Sequence, residues 1–310
     1  MQFINFEEGQ FINFLALRRV AAIISALFIL AGIGSVTLHK GLKYGIDFRG
    51  GTNIQIQFTT QPNLDKFRKL FAGQGMKNVV IQTFGDLADR EILLGLPIDS
   101  PLGTGDQLTE KLGEILLTQH KEFEIRRIES IGPKVGDELK ISAVKAILIA
   151  LGLVLLYITI RFQWRQGVSA IIALIHDVLV IVGIFSILEK EFTLTVVAAL
   201  LTVVGYSLND TIVVFDRIRE NLGKYRKKSL EETINLSITQ TLSRTLITSG
   251  TTLLVVMALF LLGGEIIHDF AFALLVGVLI GTYSSIYVAS PVALFLTKIV
   301  PAGGTSTAAN

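Results

Sequence analysis

Apolar residues in this chain form long runs with few charges, and short polar segments separate most of these runs. A helix of about 20 mainly apolar residues crosses the roughly 30 Å hydrocarbon core of a bilayer. Six runs have this length, at residues 20–38, 141–160, 168–188, 192–215, 245–262 and 270–297. The pattern therefore predicts an α-helical polytopic membrane protein with six transmembrane helices.

The segment between the first two runs, residues 39–135, has short elements instead of long apolar runs. Ile54, Ile56 and Phe58 alternate with polar residues, which is typical of a half-buried strand. Three further strand-like stretches and two stretches with helical spacing follow, in the overall order β-α-β-β-α-β. This order predicts a small α+β ferredoxin-like domain.

Basic residues are concentrated in a few of the short segments between the runs. Arg18 and Arg19 precede the first run, Arg161 and Arg165 separate the second from the third, and "RIRENLGKYRKK" follows the fourth. Because lysine and arginine accumulate on the cytoplasmic side of a membrane, both termini are predicted to be cytoplasmic and the α+β domain external (periplasmic). The first run is about 19 residues long and lacks a small-residue cleavage site, so we predict a retained helix rather than a signal peptide.

These patterns divide the chain into consecutive parts. A cytoplasmic N-terminus covers residues 1–19, the first transmembrane helix 20–38 and the external domain 39–135. Residues 141–297 hold five further helices, with a basic cytoplasmic connection at 217–232 that enters a helix through a Ser-x-x-Glu capping box at Ser229. The polar tail at 298–310 is predicted to be disordered and cytoplasmic.

Composition agrees with the membrane class and excludes several other functions. Hydrophobic residues make up 51% of the 310 residues and charged residues 17%. The chain has no cysteine, which removes disulfides and thiolate metal sites, and it has no histidine cluster or H-E-x-x-H motif. A net charge of +2 is too small to indicate nucleic acid as a partner. We therefore predict no metal site and no catalytic site.

Three ionisable residues lie inside or next to the apolar runs. Asp177 lies in the third run, Asp210 in the fourth and Arg244 at the start of the fifth. A charge near the centre of a membrane helix costs at least about 2.5 to 3.5 kcal/mol, so such residues usually face a bundle interior and have a partner. Counting residues from the helix ends places Asp210 and Arg244 at similar depth, which makes an ion pair possible. The alternative is that Arg244 extends to the inner surface while Asp210 is hydrated near its helix end.

Two groups of polar side chains lie close to Asp210 and Arg244 in the sequence. A single polar side chain in a span commonly serves helix packing. Two such groups at one depth, around a candidate ion pair, indicate a hydrated path along which a carboxyl exchanges protons. The predicted proton-coupling residues are Asp210, Arg244 and Asp177, and the predicted supporting polar path is Asn209, Ser207, Thr248 and Ser249.

Small residues recur in the last run. Gly277 and Gly281 form a G-x-x-x-G step, Ser284 and Ser285 follow it, and Pro291 lies one to two turns further on. Small side chains let helices approach closely, and proline kinks a helix. We predict tight packing of this helix, with a kink near its end.

Four longer motifs carry a resemblance to a known family. They are "GIDFRGG" at 45–51, "SIGPKVGDELK" at 130–140, "GYSLNDTIVVFDRIREN" at 205–221 and "TLSRTLITSGTTLL" at 241–254. In this order, with six spans and a large first external loop, they closely resemble the SecF members of the SecD/SecF family of bacterial protein-export membrane proteins. This family belongs to the resistance-nodulation-division superfamily of proton-driven transporters.

The resemblance implies a specific role in protein export. A member of this family works with SecD beside the SecYEG channel and other auxiliary Sec subunits, in the lipid bilayer of the cytoplasmic membrane. It uses the proton gradient, without a cofactor, to assist the movement of unfolded preproteins after the SecA ATPase step. The resemblance also implies that the aspartate of "SLND" and the arginine of "SRTLITSG", here Asp210 and Arg244, act in proton transport.

Two other functions compete with this interpretation. The first is proton-driven small-molecule efflux by the same superfamily, although a domain of about 95 residues is small for a drug pocket and docking surface. The second is an intramembrane hydrolase, but "GYSL" lacks the glycine that follows the serine of a nucleophile elbow, and no base is placed beside it by the sequence.

Overall fold

The structure is a computed structural model that describes residues 10–76, 79–85, 87–98, 100–103, 106–118 and 122–299. It has two parts, a bundle of long apolar helices and a small four-stranded domain between the first two of them. This arrangement confirms the predicted fold class. Residues 1–9 of the predicted N-terminus and 300–310 of the predicted tail lie outside the described residues.

Six helices in the described part of the chain are long and apolar enough to span a membrane. Their bounds are α1 Arg18–Leu38, preceded by a 3-10 turn at Phe14–Leu17, and, after the four-stranded domain, α5 Pro133–Arg161, α6 Trp164–Ile187, α7 Leu194–Lys224, α8 Leu230–Leu262 and a last helix built from α9 Gly264–Ser284, a π turn at Ser285–Ala289 and α10 Ser290–Ile299. About half of the apolar window of α6 and of α7 is buried, against a small fraction in α1, α5 and α8. The centre of the bundle is therefore formed by α6, α7 and the last helix.

The domain between α1 and α5 is a split β-α-β sandwich. Its elements are the short helix α2 Ile46–Arg49, then β1 Gly51–Phe58, α3 Leu64–Gly73, β2 Val80–Phe84, β3 Glu91–Pro97, α4 Asp106–Leu117 and β4 Phe123–Ile131. The antiparallel sheet has the order β2-β3-β1-β4, which is the ferredoxin-like order. Ile54, Ile56 and Phe58 are buried against Phe67 of α3 and Leu112 of α4, as their alternation predicts. We call residues 51–131 the sheet domain.

The segment that enters the sheet domain is also attached to α7. Gly45 donates its N–H to the carbonyl of Phe192 (3.0 Å), and Asp47 Oδ2 accepts the N–H of Leu194 (2.9 Å) in the first turn of α7. A carboxylate at this position satisfies one of the orphan N–H groups of a helix start. Gly51 has φ +153°, and a Cβ there would lie 2.4 Å from a carbonyl oxygen of β3. The "GIDFRGG" motif is thus a strand-entry turn that ties the sheet domain to α7.

The helices α7 and α8 are longer than their apolar runs. The connection predicted at 217–232 is helical up to Lys224, and α8 begins at Leu230 behind the predicted capping box at Ser229. The polar inner turns of the two helices pack on each other, since the Asn221 amide donates to Ser237 Oγ and to Gln240 Oε1 (2.9 Å each). An apolar-run criterion does not detect a helix whose buried face is polar.

Small residues let the last helix approach α7 closely. A Cβ on Gly277 would lie 2.1 Å from Val203 Cγ2, and one on Gly281 would lie 2.8 Å from Ser207 Cβ. These distances confirm the predicted close packing. A π turn precedes Pro291, and Ser290 Oγ donates to the Ser285 carbonyl (2.9 Å). The kink predicted at Pro291 stays a prediction.

Candidate functional site

The first buried carboxyl group lies near the middle of α6. Asp177 is 1% exposed, and its Oδ2 accepts hydrogen bonds from Ser207 Oγ of α7 (2.6 Å) and Ser284 Oγ of α9 (2.9 Å). Gly281, one turn before Ser284, provides the close approach that brings the two hydroxyls to one oxygen. The three central helices therefore meet at a single carboxylate.

A chain of hydrogen bonds extends from Asp177 to α1. His176 Nδ1 lies 3.0 Å from Asp177 Oδ1, and His176 Nε2 lies 3.0 Å from Ser25 Oγ. Ser25 Oγ lies 3.1 Å from the Tyr283 hydroxyl, which donates to the Ala21 carbonyl (2.8 Å). The sequence predicted no role for Ser25, His176 or Tyr283, and for Ser284 it predicted only tight helix packing. The adjacency of histidine and aspartate inside a span was the available signal for His176.

The second buried carboxyl group, Asp210 on α7, has weaker hydrogen bonding. It is 3% exposed, and Ser249 Oγ of α8 lies 3.4 Å from its Oδ2. Ser249 Oγ is closer to Thr282 Oγ1 of α9 (2.7 Å), and Thr282 donates its own hydrogen to a carbonyl of α9. The Ser249 hydrogen is therefore directed at Thr282 rather than at Asp210. Because a buried carboxylate without strong donors is costly, Asp210 needs a further compensating group.

Arg244 does not provide that group through direct contact. In the described part of the chain it forms no ion pair within 4.0 Å, although it is near enough to Asp210 for a coulombic interaction. Its neighbour Thr245 faces the bundle, whereas Arg244 is exposed on the outward side of α8. The close ion pair that depth counting allowed is not formed in this structure. The reason is rotation about the helix axis, because depth does not determine which way a side chain points.

The four predicted supporting residues divide into two pairs. Ser207 and Ser249 join the buried carboxyl groups, Ser207 at Asp177 and Ser249 at Asp210. By contrast, Asn209 is exposed, and Thr248 donates to the carbonyl of Arg244 within its own helix. One residue of α7 and one of α8 thus join the two carboxyl groups, whereas Asn209 faces outward, as Arg244 does.

Comparison with known proteins agrees with these features. A family model described as "Protein export membrane protein SecD/SecF, C-terminal" matches residues 111–299, and a "SecD/SecF GG Motif" model matches 36–62. The chain is 50% identical over 288 residues to "Protein translocase subunit SecF" of Vibrio alginolyticus, covering 92% of this chain and 90% of that protein. It is 45% identical over 284 residues to the Haemophilus influenzae protein of the same name, covering 91% and 85%.

The structure also resembles a solved one. The crystal structure of SecDF, a translocon-associated membrane protein from Thermus thermophilus, matches with a TM-score of 0.79 and 39% identity. The match covers 95% of this chain but 40% of that longer chain. The chain therefore belongs to the SecD/SecF family of protein-export membrane proteins, within its SecF group.

Proposed function

We propose that this chain is the SecF subunit of the Sec export machinery. With SecD it uses the proton gradient to assist translocation of unfolded preproteins across the cytoplasmic membrane, after the SecA ATPase step. The observation that carries this proposal is the pair of buried carboxyl groups, Asp177 and Asp210, on two of the three central helices. Both lie in a span and contact hydroxyl groups of neighbouring helices, and α7 is attached to the sheet domain through Asp47. Intramembrane carboxyl groups of this kind mark proton relays.

Two exposed polar residues, Arg244 of α8 and Asn209 of α7, support the proposal that a partner protein packs against these helices in the membrane. Arg244 and Asn209 are exposed on α8 and α7, two helices that are apolar and long enough to span a membrane, and a polar group exposed to lipid is costly. A second bundle packed against these helices removes that cost. SecD is the proposed partner, and the solved SecDF chain, of which this chain spans 40%, supports the assignment. The SecYEG channel, other auxiliary Sec subunits and the preprotein are proposed from family membership.

The distribution of charges supports an orientation. Arg161 of α5 lies 3.9 Å from Asp216 of α7, and Arg18 pairs with Glu231 of α8 (2.5 Å), so several basic helix ends lie together. The sheet domain joins the opposite end of α7, at Leu194. The positive-inside rule then places both termini in the bacterial cytoplasm and the sheet domain outside.

Cysteine labelling tests this orientation. The chain has no cysteine of its own, and Gln74 is exposed beside a turn of the sheet domain. In intact spheroplasts, a cysteine replacing Gln74 is expected to react with a membrane-impermeant maleimide. A cysteine replacing the exposed Lys227 is expected to react only after permeabilisation. The opposite pattern would overturn the orientation.

We propose a transport role without catalysis. Ser25, His176 and Asp177 are connected in the order of a hydrolytic triad. However, the Tyr283 hydrogen is directed at a carbonyl, so Ser25 donates to Tyr283 and accepts from His176 Nε2. An imidazole nitrogen that carries a proton cannot act as the base for that serine. The arrangement favours proton storage over nucleophilic attack.

Small-molecule efflux is the weaker alternative. A cleft of about 710 Å³ lies between the sheet domain and the helices. Its lining includes charged side chains from both parts, namely Lys43, Arg49, Arg68, Glu191 and Asp269. Drug-sized sites are mainly apolar with few polar groups, so this cleft is a poor drug pocket.

Complementation separates export from efflux. In a bacterium depleted of its own SecF and grown in the cold, expression of this chain with a SecD partner is expected to restore processing of a secreted precursor in a pulse-chase experiment. Drug sensitivity of the same cells is measured in parallel. If loss of the chain changes drug sensitivity but leaves precursor processing intact, the export proposal fails.

A further inference from the structure

His176 forms a buried pair with Asp177, the carboxyl group at which α6, α7 and α9 meet. Their exposed fractions are 6% and 1%, and the facing atoms, Nδ1 and Oδ1, lie 3.0 Å apart. Two proton arrangements are compatible with a contact of this length between an imidazole and a carboxyl group. Either the nitrogen carries the proton and donates, or the carboxyl group is protonated and donates.

The hydrogen bonds beyond His176 determine whether its other ring nitrogen, Nε2, carries a proton. The Tyr283 hydroxyl has one hydrogen, which goes to the Ala21 carbonyl, so its oxygen accepts from Ser25. Ser25 also has one hydrogen, and once this goes to Tyr283, Ser25 accepts at its contact with His176. Nε2 of His176 therefore carries a proton.

One more proton is then needed between His176 and Asp177. With Nε2 protonated, a neutral imidazole has a bare Nδ1, and an ionised Asp177 offers it no hydrogen. Two acceptors 3.0 Å apart would repel each other, so the contact requires a proton on Nδ1 or on Oδ1. We propose that the His176–Asp177 pair holds one exchangeable proton and is a second proton-coupling centre besides Asp210. The assignment rests on the proposed function and deepens it.

The side chains that approach from the surrounding helices are consistent with one shared proton on the His176–Asp177 pair. Ser25 approaches the pair from α1, Ser207 from α7, and Tyr283 and Ser284 from α9. Of these, Tyr283 is titratable but its hydroxyl is committed to a backbone carbonyl. Asp210 of α7 is a second buried acid, and its side chain contacts Ser249 (3.4 Å).

No fixed cation in the described part of the chain balances the pair. Within the described residues, Asp177 has His176 in ion-pair range and no lysine or arginine. A carboxylate buried without a cation is costly, and a proton shared with the imidazole supplies the compensation. Release of that proton changes the charge at the point where α6, α7 and α9 meet, which is where a signal to both neighbouring helices would be strongest.

Nitrogen NMR tests the proton count directly. The full chain is labelled with ¹⁵N-histidine and reconstituted with its SecD partner, and the His176→Asn variant identifies the His176 signals among the four histidines. We expect Nε2 to be protonated, with either a protonated Nδ1 or an infrared carboxylic acid band that disappears in Asp177→Asn. A neutral ring beside an ionised Asp177, with its single proton on either nitrogen, would overturn the proposal.

Export supplies a second test with a matched control. His268 and Asp269 form the same dipeptide at the start of α9, where His268 is 39% exposed and Asp269 also pairs with Lys190 (2.6 Å). His176→Asn, which keeps a donor toward Asp177 but cannot take up a proton, is expected to lower gradient-dependent export severalfold, and His268→Asn is not. Equal export by both variants would remove the coupling role of the pair. The export proposal itself is tested separately, by complementation with the unmodified chain.

Discussion

Replacing Asp210 by asparagine is expected to abolish the part of export that depends on the proton gradient. Asparagine has nearly the same shape, and its amide nitrogen can donate to Ser249 Oγ, which lies 3.4 Å from Asp210 Oδ2, so the helix packing is preserved. The amide cannot bind and release a proton, which a coupling carboxyl group must do. Pulse-chase labelling of a secreted precursor, with and without an uncoupler, measures the effect. Processing by the variant should equal that of cells lacking the chain, and the uncoupler should have no further effect.

Asp216 provides the control on the same helix. It lies six residues after Asp210, is partly exposed, and pairs with Arg161 (3.9 Å) and Arg219 (3.4 Å). Surface ion pairs of this kind contribute little to stability, so Asp216→Asn should export normally. If Asp210→Asn also supports uncoupler-sensitive export at the parental rate, Asp210 has no role in proton coupling.

The sequence predicted the architecture well because the architecture depends on one-dimensional patterns. Run length predicted the six spans, and the alternation of Ile54, Ile56 and Phe58 predicted the buried face of β1. Charge alone identified Asp177 and Asp210 as unusual, since an acid in an apolar run is rare. The structure places both side chains inside the bundle.

The contacts of those acids could not be predicted, because they depend on rotation about each helix axis. Arg244 and Thr245 are adjacent, yet one faces outward and the other inward. For the same reason Ser207 reaches Asp177 whereas Asn209 reaches neither acid. Ser284 gives no stronger signal than any small residue in a packed helix, and its role becomes visible only when α9 lies against α6.

The two buried acids, Asp177 and Asp210, differ in how many hydrogen-bond partners the neighbouring helices supply. Asp177 accepts two short hydrogen bonds and contacts His176, so this chain supplies hydrogen-bond partners for both of its carboxyl oxygens. Among the described residues, Asp210 has one hydrogen-bond contact, at 3.4 Å from Ser249, and Arg244 is exposed on the outward side of α8. We infer that the Asp210 cluster is completed by the partner bundle, or by movement of α8, whereas the His176–Asp177 pair is complete in the chain alone.

Removal of the Asp177 side chain should therefore destabilise the bundle, and asparagine should not. In Asp177→Ala, the hydroxyls of Ser207 and Ser284 and the ring of His176 lose their common partner in a buried site. Ser284 keeps the Gly281 carbonyl as an acceptor (3.1 Å), so two groups are left without a partner. Each buried polar group left unpaired costs about 1–3 kcal/mol, so a total loss of about 2–6 kcal/mol is expected. In Asp177→Asn, the amide oxygen accepts both hydroxyls and the amide nitrogen donates to the bare Nδ1 of an Nε2-protonated His176. We expect its stability to stay within about 1 kcal/mol of the parent, since every group keeps a partner.

Thermal unfolding of the purified proteins, followed by light scattering, ranks the variants, with Asp65→Ala as the control. Asp65 is 81% exposed in its side chain and pairs with Arg68 on the surface of α3, so its removal should be neutral. Equal stability of Asp177→Ala and Asp177→Asn would show that the hydrogen bonds at Asp177 do not hold the three helices together. The asparagine variant also separates packing from proton exchange: it should fold like the parent yet lose gradient-dependent export, because it keeps every hydrogen bond at the junction and lacks the exchangeable proton.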